Sequence, residues 1–537
     1  MPTTGNSIGL PLLTIILLVP AAGALVCMMI DNVRQIQWVA GATALVDLAL
    51  AIVLLLKFEI TQSAGLDRWV FQFSDRHSWV SDLGINYVLG VDGVSVFLVA
   101  LTALMMAVAV LAGTFMIVDR QRLFMIFMLG LETAILGVFM AANLFLFYVF
   151  WEAMLIPMYF LLGMWGEERR VYATMKFLIY TISGSFLMLV GIFYLWASRN
   201  TLDMAGPGGL IASIHAHPLT SSEQTWLFLA FGIAFAIKLP IFPLHTWAPT
   251  AYTEAPIPVL IALAGILSKA GAFGFLRYCL PLFPQASRNL AGLVSVLAVI
   301  GMLYAALLAL VQIDIKRLVA YASISHMNLI ALGIFALNPT GIDGSVLQMV
   351  NHSIIISGLF LAVALITART GTRMLTDMGG LGRRWPILMW LFFIFVLGGL
   401  DLPGLSSFSG EFLILAGVFR ANAWFSSIAA LTIILAAWYM IRLFQDTMNG
   451  PTVASPQQAA EIPDDPSRTP YQYPVVRRLI NGDLLPREFV LLLPLIAIIL
   501  YLGIQPDPFT ARVNPTAGPL SAVVHQLSNL SSFGGGR

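Results

Sequence analysis

The chain has 537 residues, is 59% hydrophobic with a mean hydropathy of +0.88, and carries only 10% charged residues, against roughly 25% in soluble globular proteins. It is therefore a polytopic membrane protein whose surroundings are the lipid bilayer. A formal net charge of +1 with no Lys- or Arg-rich stretch excludes nucleic acid as a partner, and two distant cysteines in apolar runs, Cys27 and Cys279, form neither a disulfide framework nor a metal site.

Apolar segments of about 20 residues fall near 8–30, 36–57, 88–117, 123–140, 143–165, 172–197, 225–247, 254–279, 289–311, 315–337, 345–368, 385–418, 422–445 and 488–504. The first is longer than a signal-peptide core and lacks a basic segment before it, so it reads as a retained helix. A polar, proline-rich stretch between the thirteenth and fourteenth reads as a cytoplasmic linker, and the terminal SNLSSFGGGR as a disordered tail. Loops after odd-numbered spans hold seventeen Lys and Arg residues, Lys316 among them, and those after even-numbered spans with the tail hold nine, Arg277 among them. By the positive-inside rule the odd loops are cytoplasmic and both termini face out.

Lys238 and Lys269 sit inside apolar runs, where an ionisable group marks a function by default. A lysine can also snorkel to the interface, but Lys269 lies too deep in its span for easy escape. Two spans carry breaks: Lys238-Leu239-Pro240 followed by Pro243, and Asp401-Leu402-Pro403-Gly404 followed by SSFSGEF, 163 residues apart. Proline removes a helix hydrogen bond and clashes with the preceding turn. Packing kinks would leave the same signature, yet each break falls fourth in a series of five spans, and five is odd, so the second series is inverted relative to the first. The expected architecture is all-α, about 14 transmembrane helices with two inverted five-helix repeats, each containing a broken helix. Residues 1–121 hold spans one to three, 122–280 the first repeat, 281–448 the second, 449–487 the linker, and 488–537 the last helix and tail.

The segments LFYVFWEAMLIPMYFLLGMWG (146–166), KLPIFPLHTW (238–247), TEAPIPVLIALAGILSKAGAFGFLR (253–277), DIKRLVAYASISHMNLI (314–330) and LPGLSSFSGEFLIL (402–415) together resemble the antiporter-like subunits of respiratory complex I. They look most like the subunit M branch, the bacterial counterpart of mitochondrial subunit 4. YVLGVDGVSVFL (87–98) also fits the family's third helix. The resemblance covers roughly residues 85–450. It implies a proton-translocating membrane-arm subunit of an NADH:quinone oxidoreductase in the bacterial plasma membrane, with no cofactor on this chain. FMN, iron-sulfur clusters and quinone are expected in partner subunits, and other membrane-arm subunits, antiporter-like ones included, as neighbours.

Carried over position by position, the resemblance makes Glu152 the carboxylate that pairs with the seventh-helix lysine, Lys238 the central proton site, and Lys269 the residue that passes a proton onward. His326 and His352 match relay positions, and Glu411 the distal acid. Set against this, a buried ion pair can be static and a helix histidine is often structural. His245, Glu132 and Asp401 are further candidates: His245 either hydrates the lysine or bonds a freed carbonyl, Glu132 is a candidate for lining an interface with the next subunit, and Asp401 either takes a proton or caps the freed backbone. Asp92 reads as a cap of the third helix. The family's Leu-Pro-Asp-Ala-His after HTW is here Ala248-Pro249-Thr250-Ala251-Tyr252, which puts a peripheral relay there in doubt. An Mrp-type sodium/proton antiporter or a hydrogenase-like complex is the alternative, since both share the fold.

Overall fold

A computed structural model describes residues 10–60, 71–80, 84–206, 208–451 and 482–531, with side chains to residue 522. Among these residues twelve helices are long and apolar enough to cross a membrane. They are α1 (Leu12–Met29), α2 (Val33–Lys57), α3 (Ser95–Met116), α4 (Gln121–Met140), α5 (Leu144–Trp165), α6 (Arg170–Arg199), α9 (Ile257–Leu282), α10 (Pro284–Val311), α11 (Ile315–Ile334), α12 (Pro339–Thr370), α15 (Ala423–Met448) and α16 (Pro486–Ile504). Between them lie two interrupted helices: α7 (Ser221–Lys238) with α8 (Trp247–Glu254), and α13 (Pro386–Gly399) with α14 (Ser406–Ala421). The central part of the linker, residues 452–481, lies outside the described residues.

Helix starts follow the sequence. The side chains of Asn32, Asn143, Asp314, Asn338 and Asn422 each accept a hydrogen bond from the first turn they precede, and Thr220 with Glu223 closes a capping box on α7. Lipid-facing apolar side chains cover the outer helices: Trp38 and Leu56 on α2, Val171 and Phe186 on α6, Ile434 and Trp438 on α15. By contrast α9 and α12 are buried along their apolar stretches and form the centre of the bundle.

Several elements have no counterpart in the sequence reading, a short helix at Leu210–Ala216 and two larger elements among them. An antiparallel hairpin, β1 (Gln72–Val80) with β2 (Ile85–Val91), joins α2 to α3. Asp203 pins it, accepting from Arg76 at 2.6 Å, Asn86 at 2.8 Å and Asn143 at 2.7 Å. The tail contains a helix, α17 (Asp507–Ser531). It includes residues 528–531 of the segment expected to be disordered, while the last six residues lie outside the described ones. This helix packs on α10 and α12, and its Thr516 hydroxyl accepts from the Gly93 amide at 3.2 Å. Both elements escape hydropathy because their polar positions cancel their apolar ones.

Three basic residues assigned to loops, Arg277, Lys316 and Arg369, are buried. Arg277 lies within α9 and meets Asp92 at 2.9 Å. Asp92 also accepts the amides of Val94 (3.1 Å) and Ser95 (2.9 Å), so the expected cap is present and carries an ion pair too. Lys316, fully buried in the first turn of α11, donates to Glu167 at 2.6 Å and to the Ala255 carbonyl at 2.7 Å. Arg373 reaches the other Glu167 oxygen at 2.5 Å and Asp314 at 3.3 Å. This cluster ties the ends of α5 and α8 to α11. Glu167→Gln should therefore cost about 3–5 kcal/mol, because it leaves the fully buried Lys316 ammonium without its counter-charge; thermal unfolding of the purified protein checks it, and an unchanged midpoint contradicts it.

A buried file of lysine, histidine and carboxyl groups

The first interruption places Lys238 at the last position of α7, where Pro240 and Pro243 stop the helix. Carbonyls freed at that depth need internal donors, and two are supplied. The Trp247 indole donates to Ile237 O at 2.8 Å, and the Asn328 amide of α11 donates to Pro240 O at 3.2 Å. Lys238 itself is fully buried and its Nζ has no hydrogen-bond partner. It lies 5.2 Å from the Trp151 ring centroid and 5.5 Å from that of Phe177, a cation–π seat that compensates part of its lost hydration. The charge acting on it is the Glu152 carboxylate.

Glu152 lies just before the Met154 kink in α5, where Pro157 leaves the Ala153 carbonyl without its helical donor. It opens onto an apolar groove of roughly 630 Å³ lined by Tyr148, Ile156, Tyr159, Leu178 and Ile182. Lys238 is thus sealed, while its carboxylate partner reaches the side of the bundle.

Lys269 lies between two π-helical turns of α9, Leu263–Leu267 and Phe275–Cys279. Such turns leave carbonyls unpaired and recur at functional sites. Here Lys269 Nζ donates to Ala264 O at 2.7 Å, contacts Ser268 Oγ at 3.4 Å and meets His352 Nδ1 at 2.8 Å. A charged ammonium has no lone pair, so while Lys269 is charged His352 accepts on Nδ1 and carries its own proton on Nε2. The His326 ring follows at 5.8 Å between centroids. Beyond the two rings lies a cavity of about 10 Å³ bordered by Gly399, Ser407 and Met440, close to the volume one water needs.

Past that cavity comes the second interruption. Asp401 is held in the left-handed region at φ 59° and Gly404 at φ 95°. Asp401 is buried with both carboxyl oxygens unpartnered, and it acts electrostatically on Glu411, whose Oε2 is also unpartnered. The buried Tyr439 hydroxyl feels both acids. Helix α12 lines this part of the file with Ser345, Gln348, Asn351, His352, Ser353 and Ser357, all buried. Gln348 donates to Ser407 Oγ at 2.7 Å and Asn351 to Ser406 O at 2.6 Å, holding the second break. Of this polar stripe only His352 was singled out from sequence; the recurrence of amides and hydroxyls every three or four residues in an apolar span was the available signal.

The remaining candidates fall elsewhere. His245 packs on Phe242 (5.6 Å) and Tyr304 (5.3 Å) with Nδ1 unpartnered. Glu132 is fully buried and faces Asp47 of α2, so it lines no exposed surface of this chain. Tyr252, in the place of the family's histidine, is buried beside Ser268 and so keeps a hydroxyl near Lys269.

A membrane bundle with two interrupted helices and a buried file of titratable side chains has the build of an ion-translocating protein. The family model described as NADH:quinone oxidoreductase/Mrp antiporter, TM, matches residues 141–436. The chain belongs to that family. It is 36% identical over 503 residues to NADH-quinone oxidoreductase subunit M of Rickettsia prowazekii (strain Madrid E), covering 93% of this chain and 96% of the relative. To NADH-ubiquinone oxidoreductase chain 4 of Marchantia polymorpha it is 34% identical over 497 residues, 92% and 94% of the two chains. A chain of the solved structure of respiratory complex I from Thermus thermophilus with bound NADH matches with a TM-score of 0.81 at 28% identity, over 95% of this chain and 99% of that one.

The spacing of the two lysines depends on Gly271. A Cβ there would lie 2.5 Å from Phe235 O and 2.7 Å from Leu239 N, both backbone atoms of the α7 end. Gly271→Ala should therefore push α9 off α7, cost about 1–3 kcal/mol, and lower proton translocation more than it lowers assembly. Vesicle acidification and yield of the assembled protein, measured together, check this; equal losses in both contradict it.

Proposed function

We propose that this chain is the subunit M type, proton-translocating membrane-arm subunit of a respiratory NADH:quinone oxidoreductase. The observation that carries the reading is the 2.8 Å contact between Lys269 and His352, which joins the two parts of the chain that each hold an interrupted helix. A proton taken up from the cytoplasm reaches Lys238, passes to Lys269, then through His352 and His326 to Glu411, and leaves on the outer side. Glu152 holds the Lys238 ammonium while near it, and weakening of that attraction, from the groove side, favours proton release. Asp401 is a second acid at the distal end. Six positions, Glu152, Lys238, Lys269, His326, His352 and Glu411, do the work, with His245 a hydration site at the first break.

The twelve spanning helices and the two interrupted ones then make fourteen crossings, arranged as 122–280 and its inverted counterpart 281–448, with 1–121 flanking them and 449–487 on the cytoplasmic side. Both termini face outward in the plasma membrane. The charge bias supports that orientation: removing Arg277 from the outer count leaves its sign unchanged, and Glu167, Lys316 and Arg373 gather at one end.

Moving one charge across the membrane costs about 2.3 kcal/mol per 100 mV. This chain carries no nucleotide loop or cluster-ligand pattern, so the driving energy comes from quinone reduction in partner subunits that hold FMN and iron-sulfur clusters. Neighbouring antiporter-like subunits would cover the Glu152 groove. The family description also embraces Mrp antiporters, and the two readings separate by experiment. Gentle solubilisation of a tagged chain with mass spectrometry of its partners should recover flavin and iron-sulfur subunits with quinone-reducing activity; recovery of small Mrp-type membrane subunits alone overturns the reading.

Within the assembled complex, Lys238→Ala should abolish proton translocation by this subunit while leaving assembly normal, and retained translocation would contradict the route. Asp401→Asn keeps the left-handed backbone, since asparagine tolerates it, and should shift the pH dependence of pumping; an unchanged profile removes Asp401 from the pathway.

A further inference from the structure

Outside the lysine file and the matched residues 141–436, two carboxyl groups meet inside the membrane. Asp47 lies midway along α2 and Glu132 midway along α4. Both are completely buried, and apart from the facing carboxyl none of their four oxygens has a hydrogen-bond partner. Each is the neighbour that acts on the other.

The surroundings offer no counter-charge. Helices α1 and α3, which pack on both α2 and α4, contain no acidic or basic residue. Arg34 and Lys57 at the ends of α2 and Arg122 at the start of α4 are ten or more residues away along their helices, which is roughly 15 Å or more. The titratable groups on other elements touching α4 are engaged elsewhere: Glu152 acts on Lys238, Tyr148 and Tyr159 line the groove, Lys269 binds His352, Arg277 binds Asp92, and Tyr87 meets Thr14. Nor is the α2–α4 contact careless about polar atoms. Nearer one end, Gln37 donates to Gln121 Oε1 at 2.9 Å and to Thr114 O at 3.0 Å, and Gln121 to Thr114 O at 2.7 Å.

Two ionised carboxylates face to face in apolar surroundings lack any donor and repel each other, at a cost that burial magnifies. A proton between them removes one charge and supplies the missing donor at once. A metal ion fits poorly, because hard cations take about six or more oxygen ligands, and no group of three or more His, Cys, Asp or Glu side chains is placed to hold one among the described residues. We propose that Asp47 and Glu132 form a proton-binding site that holds one shared proton, separate from the translocation file, and that this proton seats α2 on α4. Because α2 presents Trp38, Leu45 and Leu56 outward, it is the helix that would shift if the proton were lost.

The test is infrared spectroscopy of the assembled complex in lipid, subtracting the Asp47→Asn/Glu132→Gln double variant from the wild type. The expected difference at neutral pH is the C=O stretch of one protonated carboxyl, shifted by deuterium exchange and equal in sodium and potassium buffers. If the double variant does not assemble, the same subtraction uses Glu132→Gln alone, where the band must be lost or displaced because the shared proton has lost one of its two acceptors. A difference spectrum without that band overturns the proposal, as does a band that sodium removes. Translocation driven by the redox partners should persist in the neutral variants, so failure of this site and failure of the lysine route read out separately.

Discussion

Everything in this bundle is organised by the cost of leaving a polar group unsatisfied where there is no water. Two helices are nevertheless interrupted in the middle of the protein, and freed carbonyls at the first break have specific donors in Trp247 and Asn328, while Gln348 and Asn351 bond the Ser407 hydroxyl and the Ser406 carbonyl after the second. Against that background of satisfied backbone, the unsatisfied side chains stand out. Lys238 Nζ, His352 Nε2, both oxygens of Asp401 and one of Glu411 are buried without partners. On the proposed route these atoms can take or give a proton without first breaking a hydrogen bond, whereas Lys269, bonded to Ala264 O and His352 Nδ1, hands its proton along a bond already made.

Rigidity and sealing come from the same few contacts. The π turns of α9 turn Lys269 toward His352 and provide the Ala264 carbonyl that steadies its ammonium. Gly271 allows α9 to touch the end of α7. Around the other side, Glu167 holds Lys316 and Arg373 together and ties the end of α8 to α11. A file of buried titratable side chains is thus carried on helices whose relative positions are fixed by backbone-close packing and by ion pairs at the ends.

Much of the site was legible in the sequence for a physical reason: charges and prolines are rare in membrane spans, so Lys238, Lys269, Pro240, Asp401 and Glu411 announce themselves. What was not legible is pairing. Lys269 and His352 are 83 residues apart, and nothing in either segment says that they touch. Glu132 was visible as a buried acid, but its partner Asp47 sits in a different span and was passed over. Lys316 and Arg277 read as loop residues because hydropathy sees a basic residue at a span end and cannot see the carboxylate that buries it. The β1–β2 hairpin and α17 were missed because amphipathic elements average to nothing on a hydropathy window.

The central claim is that protons cross between the two interrupted helices through Lys269. The most direct measurement is the number of protons translocated per NADH oxidised by the purified complex in sealed vesicles, compared between wild type and Lys269→Met, a substitution close in length that removes the charge. The account predicts normal assembly with a lower ratio or a joint collapse of pumping and turnover; an unchanged ratio at an unchanged rate would contradict it.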